Sequence, residues 1–459
     1  MKKEKVYFVG ICGTAMAPIA NMFKNMGYIV EGSDKGFFPP VSLYLEQSLI
    51  HLKKGYKAEH ITDDILFAII GMAIPESNPE FLEIKKRHIK YYSYPEILAK
   101  FLIKKNSIVV VGEYGKTTIT SLLSFILSKG GFNPSFMFGG VSLDFEDSVY
   151  LSNSDYSVVE GDEYSSAFFD KRSKFLHYKP KYVLLTSVVW DHVNLFETFD
   201  DYIETFKKFI SMIPEDGLLV VNKEGENVEK VLDSAKCKII YYSLSVSSAD
   251  YFAKSYSFDE DGIKFELQNG LKFENKNIIG EHNISNFIGS IALSLSLGMN
   301  GEEVTNILSQ YKGVKRRLEV RFKNKEFVVI DDFAHAPAKI KASIDAVRHT
   351  YPKDKYRLIS IFEPHTQSIK DKQTLSWFKD VFMGSDKVII TDIKNERKSR
   401  VVSSDIVNLV KESIDDALYI PNIDIADYIL KVASIGDVYL FMSSGSFSGA
   451  IGKSIEMLS

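Results

Sequence analysis

The sequence predicts an α/β protein of three domains with mostly parallel sheets, on three grounds. Apolar strand runs alternate with helix-like stretches along the chain, the pattern of parallel βα architecture. Three times the chain changes character and a new strand series begins. The length of 459 residues also corresponds to roughly three domains at about 150 residues each.

The first segment, residues 1–105, opens with "VYFVGICGTAMAPIANMF" and continues with strand candidates "YIVEGSD" and "FAIIGMAI". The charged "IKKNS" near residue 105 forms a seam. The second segment, residues 106–313, starts at "IVVVGEYGKTTITSLLSFIL", with further strands at "YSVVEGDE" and "YVLLTSVVWDH" and a β-rich stretch over 236–280. The third, residues 314–459, begins around "YKGVKRRLEVRF" and carries strands at "FVVIDDFAH", "YRLISIFEPH", "KVIITDI" and "DVYLFMSSG". No internal repeat or low-complexity tract is evident.

Composition narrows the function classes. Hydrophobic residues make up 45% and charged residues 25%, as in soluble globular proteins. A formal charge of −4 gives no basic footprint for nucleic acid, so an anionic ligand must be held by local donors. Cys12 and Cys237 are the only cysteines, too few for a disulfide framework, which fits a reducing, cytoplasmic setting. The apolar start is too short for a secretory signal. The uncharged "NISNFIGSIALSLSLGMN" places Ile284, Phe287, Ile288, Ile291 and Leu295 on one helical face, which predicts a half-buried soluble helix and no membrane partner.

Two turns have the chemistry of phosphate binding. Phosphate needs inward backbone N–H groups at a helix N-terminus, a lysine, and a hydroxyl for Mg²⁺. Gly112, Gly115, Lys116 and Thr117 supply these in the short form Gly-x-x-Gly-Lys-Thr; an ordinary strand–turn–helix with an exposed lysine has the same local pattern. The strand "VVEGDE" delivers Glu160, Asp162 and Glu163 to the same sheet edge, and "VVWDH" delivers Asp191 and His192. Mg²⁺ with substrate phosphates needs only one or two of these carboxylates, and solvated loop charges are the alternative. The first-segment turn "GICGTAM" has Gly10 and Gly13, with Ala15 at the place of a third glycine, and Ser33-Asp34 follow about 20 residues on, a spacing suited to a nucleotide sugar. The alternative is a plain tight turn. Together, the two turns predict two nucleotides.

"GEYGKTT", "EGDEY", "WDH", "GEHNISN", "KRRLE" and "DDFAHAP" occur in the order found in the Mur ligases, and the chain resembles that family over nearly its whole length. "SAFFDKRSKFLHYKP" and "RRLEVR…DDFAHAP" are most similar to the murein peptide ligases. The resemblance implies a Rossmann-like UDP-binding domain, a central P-loop-type ATPase domain and a C-terminal Rossmann-like domain that closes over ATP and presents the amine. It implies a cytoplasmic monomer or weak homodimer that uses ATP and Mg²⁺. The reaction would join L-alanyl-γ-D-glutamyl-meso-diaminopimelate to UDP-N-acetylmuramate through an acyl phosphate, in cell-wall recycling. The alternatives are attachment of L-alanine to the same UDP-sugar, and a non-catalytic UDP-sugar-binding paralogue.

Carried over position by position, the resemblance implies ATP contacts at Gly112, Glu113, Tyr114, Gly115, Lys116, Thr117 and Thr118. It places His282, Asn283 and Asn286 on the adenine side, and Arg317, Asp331, Asp332 and His335 in the third domain as further ATP contacts. Thr117, Glu160 and His192 become metal ligands; Lys116, Glu160, His192 and Arg317 become the catalytic set; Gly10, Ile11, Cys12, Gly13, Thr14, Ser33 and Asp34 become the UDP site. Without the resemblance, "KRR" reads as a solvated basic face.

Several positions depart from the family pattern. Glu113 and Tyr114 stand where threonine and histidine are usual, Trp190 precedes Asp191, Ala336 replaces a second histidine, and His365 stands where the peptide ligases carry arginine. A carboxylate about 6 Å from a phosphate, at an effective dielectric of about 20, repels it by roughly 3 kcal/mol. Three outcomes would relieve this: Glu113 turns outward while its N–H serves the phosphate, it binds Mg²⁺ directly or through water, or ATP turnover is lost; the first is expected, because phosphate loops bind chiefly through backbone. Gly161 in place of alanine is read as a minor change.

Overall fold

The computed structural model describes residues 4–37, 41–190, 196–365, 368–393 and 400–459. They divide into two compact units, residues 1–253 with 286–308, and residues 254–285 with 309–459.

Among the described residues the first unit contains two mainly parallel sheets and a two-stranded antiparallel hairpin, Ser165–Ala167 with Asp170–Ser173. The first has five parallel strands in the order His51–Lys54, Ile29–Asp34, Lys5–Val9, Ile65–Ile70, Lys90–Ser93. Its central strand KVYFV is buried from Val6 to Val9, as a strand covered on both faces must be. One face packs through Phe23, 5.0 Å from Phe101 and 5.7 Å from Phe67 between ring centroids. The other face holds Phe81, against which Phe168 and Phe169 of the "FFDKR" segment pack at 4.8 and 6.0 Å. Rings of this kind contribute about 2–3 kcal/mol each when buried. That contact pins the segment beside the first sheet.

The second sheet is built on parallel strands in the order Lys238–Ser243, Leu218–Asn222, Tyr182–Leu185, Asn106–Val111, Tyr156–Glu160, Ser135–Met137. In register, Val110 stands beside Glu160, so the loop after one strand and the carboxylate ending the other emerge at the same edge. Ligands collect at that edge in open α/β sheets, at the carboxyl ends of the strands.

The second unit holds an antiparallel hairpin, Gly262–Leu267 with Lys272–Asn275, and a six-stranded sheet. That sheet runs Glu319–Lys323, Phe327–Asp332, Asp437–Met442, Arg357–Phe362, Lys387–Ile390, Ala417–Tyr419, parallel except for its first strand.

The helix expected to be half-buried spans Glu281–Ser296, and every residue from Asn286 to Ser294 is buried. Its serines did not signal solvent. Ser290 donates to the carbonyl of Asn286 and Ser294 to that of Ser290, both at 2.8 Å, so each hydroxyl is satisfied within the helix and can be buried. No described helix is long and apolar enough to cross a membrane.

Candidate active site

The loop after Asn106–Val111 is held in shape by two glycines. Gly112 has φ +120°, and a Cβ there would stand 2.2 Å from Thr186 Oγ1 and 2.7 Å from the Ser187 nitrogen. Gly115 has φ +77°, and its Cβ would meet Asn286 Oδ1 at 2.4 Å. Left-handed φ and the lack of space both demand glycine. Thr186 Oγ1 donates to the Tyr114 carbonyl at 2.7 Å, bracing the loop from the next strand. Helix Lys116–Lys129 then starts at the lysine, with Thr117 buried and Thr118 half-buried in its first turn.

Lys116 Nζ lies 3.0 Å from Glu163 Oε2. Burial alone would lower its pKa, but the carboxylates of Glu163, Glu113, Asp162 and Glu160 outweigh burial and raise it, so the ammonium keeps its charge. Glu113 is 9% exposed, and its N–H donates to Ser187 Oγ at 3.2 Å. The outward orientation expected for this side chain is thus not what the structure has. Its neighbour Lys116 explains why a carboxylate is tolerated inside a phosphate-type loop. Tyr114, by contrast, is exposed.

Thr117 Oγ1 donates to both Glu160 oxygens, at 3.1 and 3.0 Å, and the Gly139 N–H donates to Glu160 Oε2 at 2.8 Å. This hydroxyl–carboxylate pair consists of hard oxygen donors at a phosphate-type turn, the set that suits Mg²⁺ alongside substrate phosphate. The residues fit that ion. Asp191 and His192 lie outside the described residues. Gly161 has a larger consequence than expected: a Cβ there would stand 2.5 Å from Val111 Cγ1 and 2.8 Å from Val109 Cγ1, so the two valines occupy the space that alanine would need.

The first-sheet turn is organised around Ser33 and Asp34. The N–H groups of Gly10 and Ile11 donate to the Ser33 carbonyl at 2.9 and 3.0 Å, and the Cys12 N–H donates to Asp34 Oδ2 at 2.9 Å. Gly32, on the neighbouring strand, is closely packed against the turn, since a Cβ there would lie 2.6 Å from Ile11 Cδ1 and 2.8 Å from the Phe8 carbonyl. Ala15 has φ −85°, an ordinary right-handed conformation open to alanine. Burial, then Asp34, pushes the Cys12 thiol up to about 11, so it remains a neutral thiol. Behind the turn, the fully buried Glu80 accepts from the Ser33 hydroxyl and from Tyr7 Oη at 3.2 Å, and faces His60 Nδ1 at 2.6 Å. No sequence motif announced this support.

A cleft of about 450 Å³ runs from Gly10, Gly13 and Asp34 to Glu160, Asp162 and Lys174. The sugar-nucleotide turn and Glu160, the carboxylate of the metal-type pair, thus open into one cavity. Tyr94 and Tyr178 line it, and burial raises both phenol pKa values. For Tyr178 the Asp162 and Glu160 carboxylates add to that rise, so the phenols stay protonated.

In the second unit, Arg317 is exposed, with its guanidinium 5.5 Å from the Phe333 ring centre. Asp332 accepts from the Leu318 N–H at 2.7 Å, the Ala334 N–H at 2.8 Å and Ser343 Oγ at 2.9 Å. Asp331 faces Arg316 Nε at 3.4 Å and Arg321 Nη1 at 3.3 Å. Burial, against the pull of Arg316, raises the Asp331 pKa to about 6. Both carboxylates are engaged in building the loop that carries Arg317. His335 Nδ1 lies 2.8 Å from the Phe333 carbonyl. His282 lies next to Gly280, Asn283 donates to the Ile279 carbonyl at 2.8 Å, and in the first unit Asn286 sits against Gly115.

Residues 5–106 match the description "Mur ligase family, catalytic domain", 110–294 "Mur ligase middle domain" and 316–445 "Mur ligase, glutamate ligase domain". The chain belongs to the Mur ligase family. The UDP-N-acetylmuramate–L-alanyl-γ-D-glutamyl-meso-2,6-diaminoheptandioate ligase of Escherichia coli K12 is 30% identical over 99% of this chain and 98% of its own length. The UDP-N-acetylmuramate–L-alanine ligase of Acetivibrio thermocellus is 32% identical over 97% and 94%. Among solved structures, UDP-N-acetylmuramate–alanine ligase of Thermotoga maritima shares the fold at TM-score 0.80 and 22% identity, covering 99% of both chains. The murein peptide ligase of Psychrobacter arcticus 273-4 aligns at TM-score 0.71 and 26% identity, covering 99% and 98%. Mur ligases are ATP-dependent enzymes that form C–N bonds, and this Mur ligase is built from the family's three α/β domains.

Proposed function

We propose that this Mur ligase joins L-alanyl-γ-D-glutamyl-meso-diaminopimelate to the carboxylate of UDP-N-acetylmuramate in the cytoplasm, as a monomer or weak homodimer with domains 1–105, 106–313 and 314–459. The observation that carries the reading is the cleft that joins the Asp34 turn to Glu160, the hydrogen-bond partner of Thr117. A UDP-sugar held at the turn extends its acyl group toward the group that would hold Mg²⁺.

In this reading Asp34 fixes the nucleotide sugar while the phenols of Tyr94 and Tyr178, kept protonated, line the cleft beside the acyl group. Lys116 leaves Glu163 to hold the terminal phosphates of ATP, the co-substrate whose phosphoryl group activates the carboxylate. Thr117 and Glu160 would hold Mg²⁺, which neutralises phosphate charge when bound. Amine attack on the acyl phosphate then releases phosphate. His192, His282, Asn283, Asn286, Arg317 and His335 keep the ATP or metal roles that the family pattern implies, whereas Asp331 and Asp332 shape the loop of Arg317.

L-Alanine attachment is the second reading, favoured by the relatives of that name. ADP release measured with UDP-N-acetylmuramate plus either the tripeptide or free L-alanine decides between them. Turnover with the tripeptide alone supports the proposal, and turnover with L-alanine alone replaces it.

A further inference from the structure

We propose that Lys174 is the cation that receives the carboxylate of the acyl substrate, exchanging its partner Asp162 for it. The proposal rests on the substrate reading above and assigns one residue a specificity role within it.

The cleft has two cations among its lining residues, Lys35 beside Asp34 and Lys174 at the far end. At the far end the wall also presents Glu160 and Asp162. A carboxylate arriving there meets two like charges, and Lys116, which is not among the lining residues, is taken by the ATP phosphates in the reading above. A carboxylate in a narrow, partly desolvated cleft requires a compensating cation. Lys174 Nζ is 2.5 Å from Asp162 Oδ2, with the side chain 14% exposed. Its ammonium stands 5.4 Å from the Tyr164 ring centre and 6.0 Å from that of Tyr94, which keeps it over the cleft wall.

The backbone around this lysine is fixed, while its head can be re-aimed. The Lys174 N–H donates to the Tyr164 carbonyl at 2.9 Å, and the segment is anchored through Phe168 and Phe169 on Phe81. A lysine has a flexible stem and three rotatable donors, so it changes partner without backbone movement. Asp162 has a second anchor, since its Oδ1 accepts the Tyr164 N–H at 3.0 Å. It can therefore release the lysine and stay in place.

The test compares two probes, UDP-N-acetylmuramate and UDP-N-acetylglucosamine, which differ by the lactyl group that bears the carboxylate. By calorimetry, Lys174→Met is expected to weaken the muramate probe about tenfold or more and the glucosamine probe less than about twofold, the scale of one charge-assisted contact. Asp162→Asn, which removes the competitor, is expected to tighten the muramate probe alone, and it serves if Lys174→Met fails to fold. Equal weakening of both probes by Lys174→Met, no weakening of either, or weaker muramate binding by Asp162→Asn overturns the proposal. If the wild type itself does not bind the muramate probe, the substrate reading falls and this assignment with it. Normal wild-type binding with indifferent variants overturns the Lys174 assignment alone.

Discussion

Glu113→Gln gives a quantitative test of the phosphate loop. In the structure two ammoniums, Lys116 and Lys174, sit among the four carboxylates of Glu113, Glu160, Asp162 and Glu163, a formal charge of −2 where a polyanion is to bind. Glu113 is buried in the loop itself, and a cradled phosphate at a separation on the order of 7 Å is repelled by its charge. At an effective dielectric of about 20, one unit-charge pair at that distance is worth roughly 2 kcal/mol, or about thirtyfold in affinity. Glutamine keeps the shape and removes the charge. The expected outcome is ATP binding in EDTA tightened about ten- to thirtyfold, and MgATP binding tightened less because the cation offsets part of the repulsion. Calorimetric titration with and without Mg²⁺ measures both. Unchanged affinity in EDTA would refute the inward placement of the carboxylate, and a more than tenfold loss confined to MgATP would make Glu113 a metal ligand instead.

Three further outcomes are expected. Gly115→Ala adds a left-handed strain of about 1–2 kcal/mol and places a methyl group 2.4 Å from Asn286 Oδ1, so the melting temperature should fall and ATP affinity drop at least about tenfold; an unchanged melt would contradict the loop geometry. Asp34→Ala removes the acceptor of the Cys12 N–H and should cost about 1.5–3 kcal/mol of UDP binding while leaving ATP affinity within about twofold, both read by titration. Asp331 has a pKa raised from 3.8 to about 6, so its ionisation is disfavoured by folding and its contribution to stability falls as pH rises between those values. Relative to Asp331→Asn, wild-type stability in urea should drop by about 1 kcal/mol from pH 5 to pH 7.5, and a difference that rises with pH would reverse the assignment.

Backbone pattern was legible in the sequence and side-chain direction was not. "IVVVGEYGKTT" gave the strand, the glycine-bounded turn and the helix start, because period, φ and capping are local properties. The direction of Glu113 depends on Lys116, whose own setting comes from Glu160, Asp162 and Glu163 more than forty positions on. Asp331 and Asp332 are adjacent yet point to opposite sides of their strand, and the dipeptide alone does not say which meets Arg316 and which caps the Arg317 loop. The full burial of Asn286–Ser294 was not legible for a related reason, since a serine hydroxyl that bonds the carbonyl four residues back is satisfied and can be buried. Gly161 is similar: its necessity lies in Val109 and Val111 across the strand pair.

The central claim is that the cleft brings a UDP-sugar carboxylate to a phosphoryl donor gripped by Lys116. It is tested most directly by turnover with UDP-N-acetylmuramate labelled with ¹⁸O in the lactyl carboxylate, followed by mass analysis of the released phosphate. The account predicts one ¹⁸O transferred to each phosphate, the mark of an acyl phosphate. Product formed with unlabelled phosphate would contradict it.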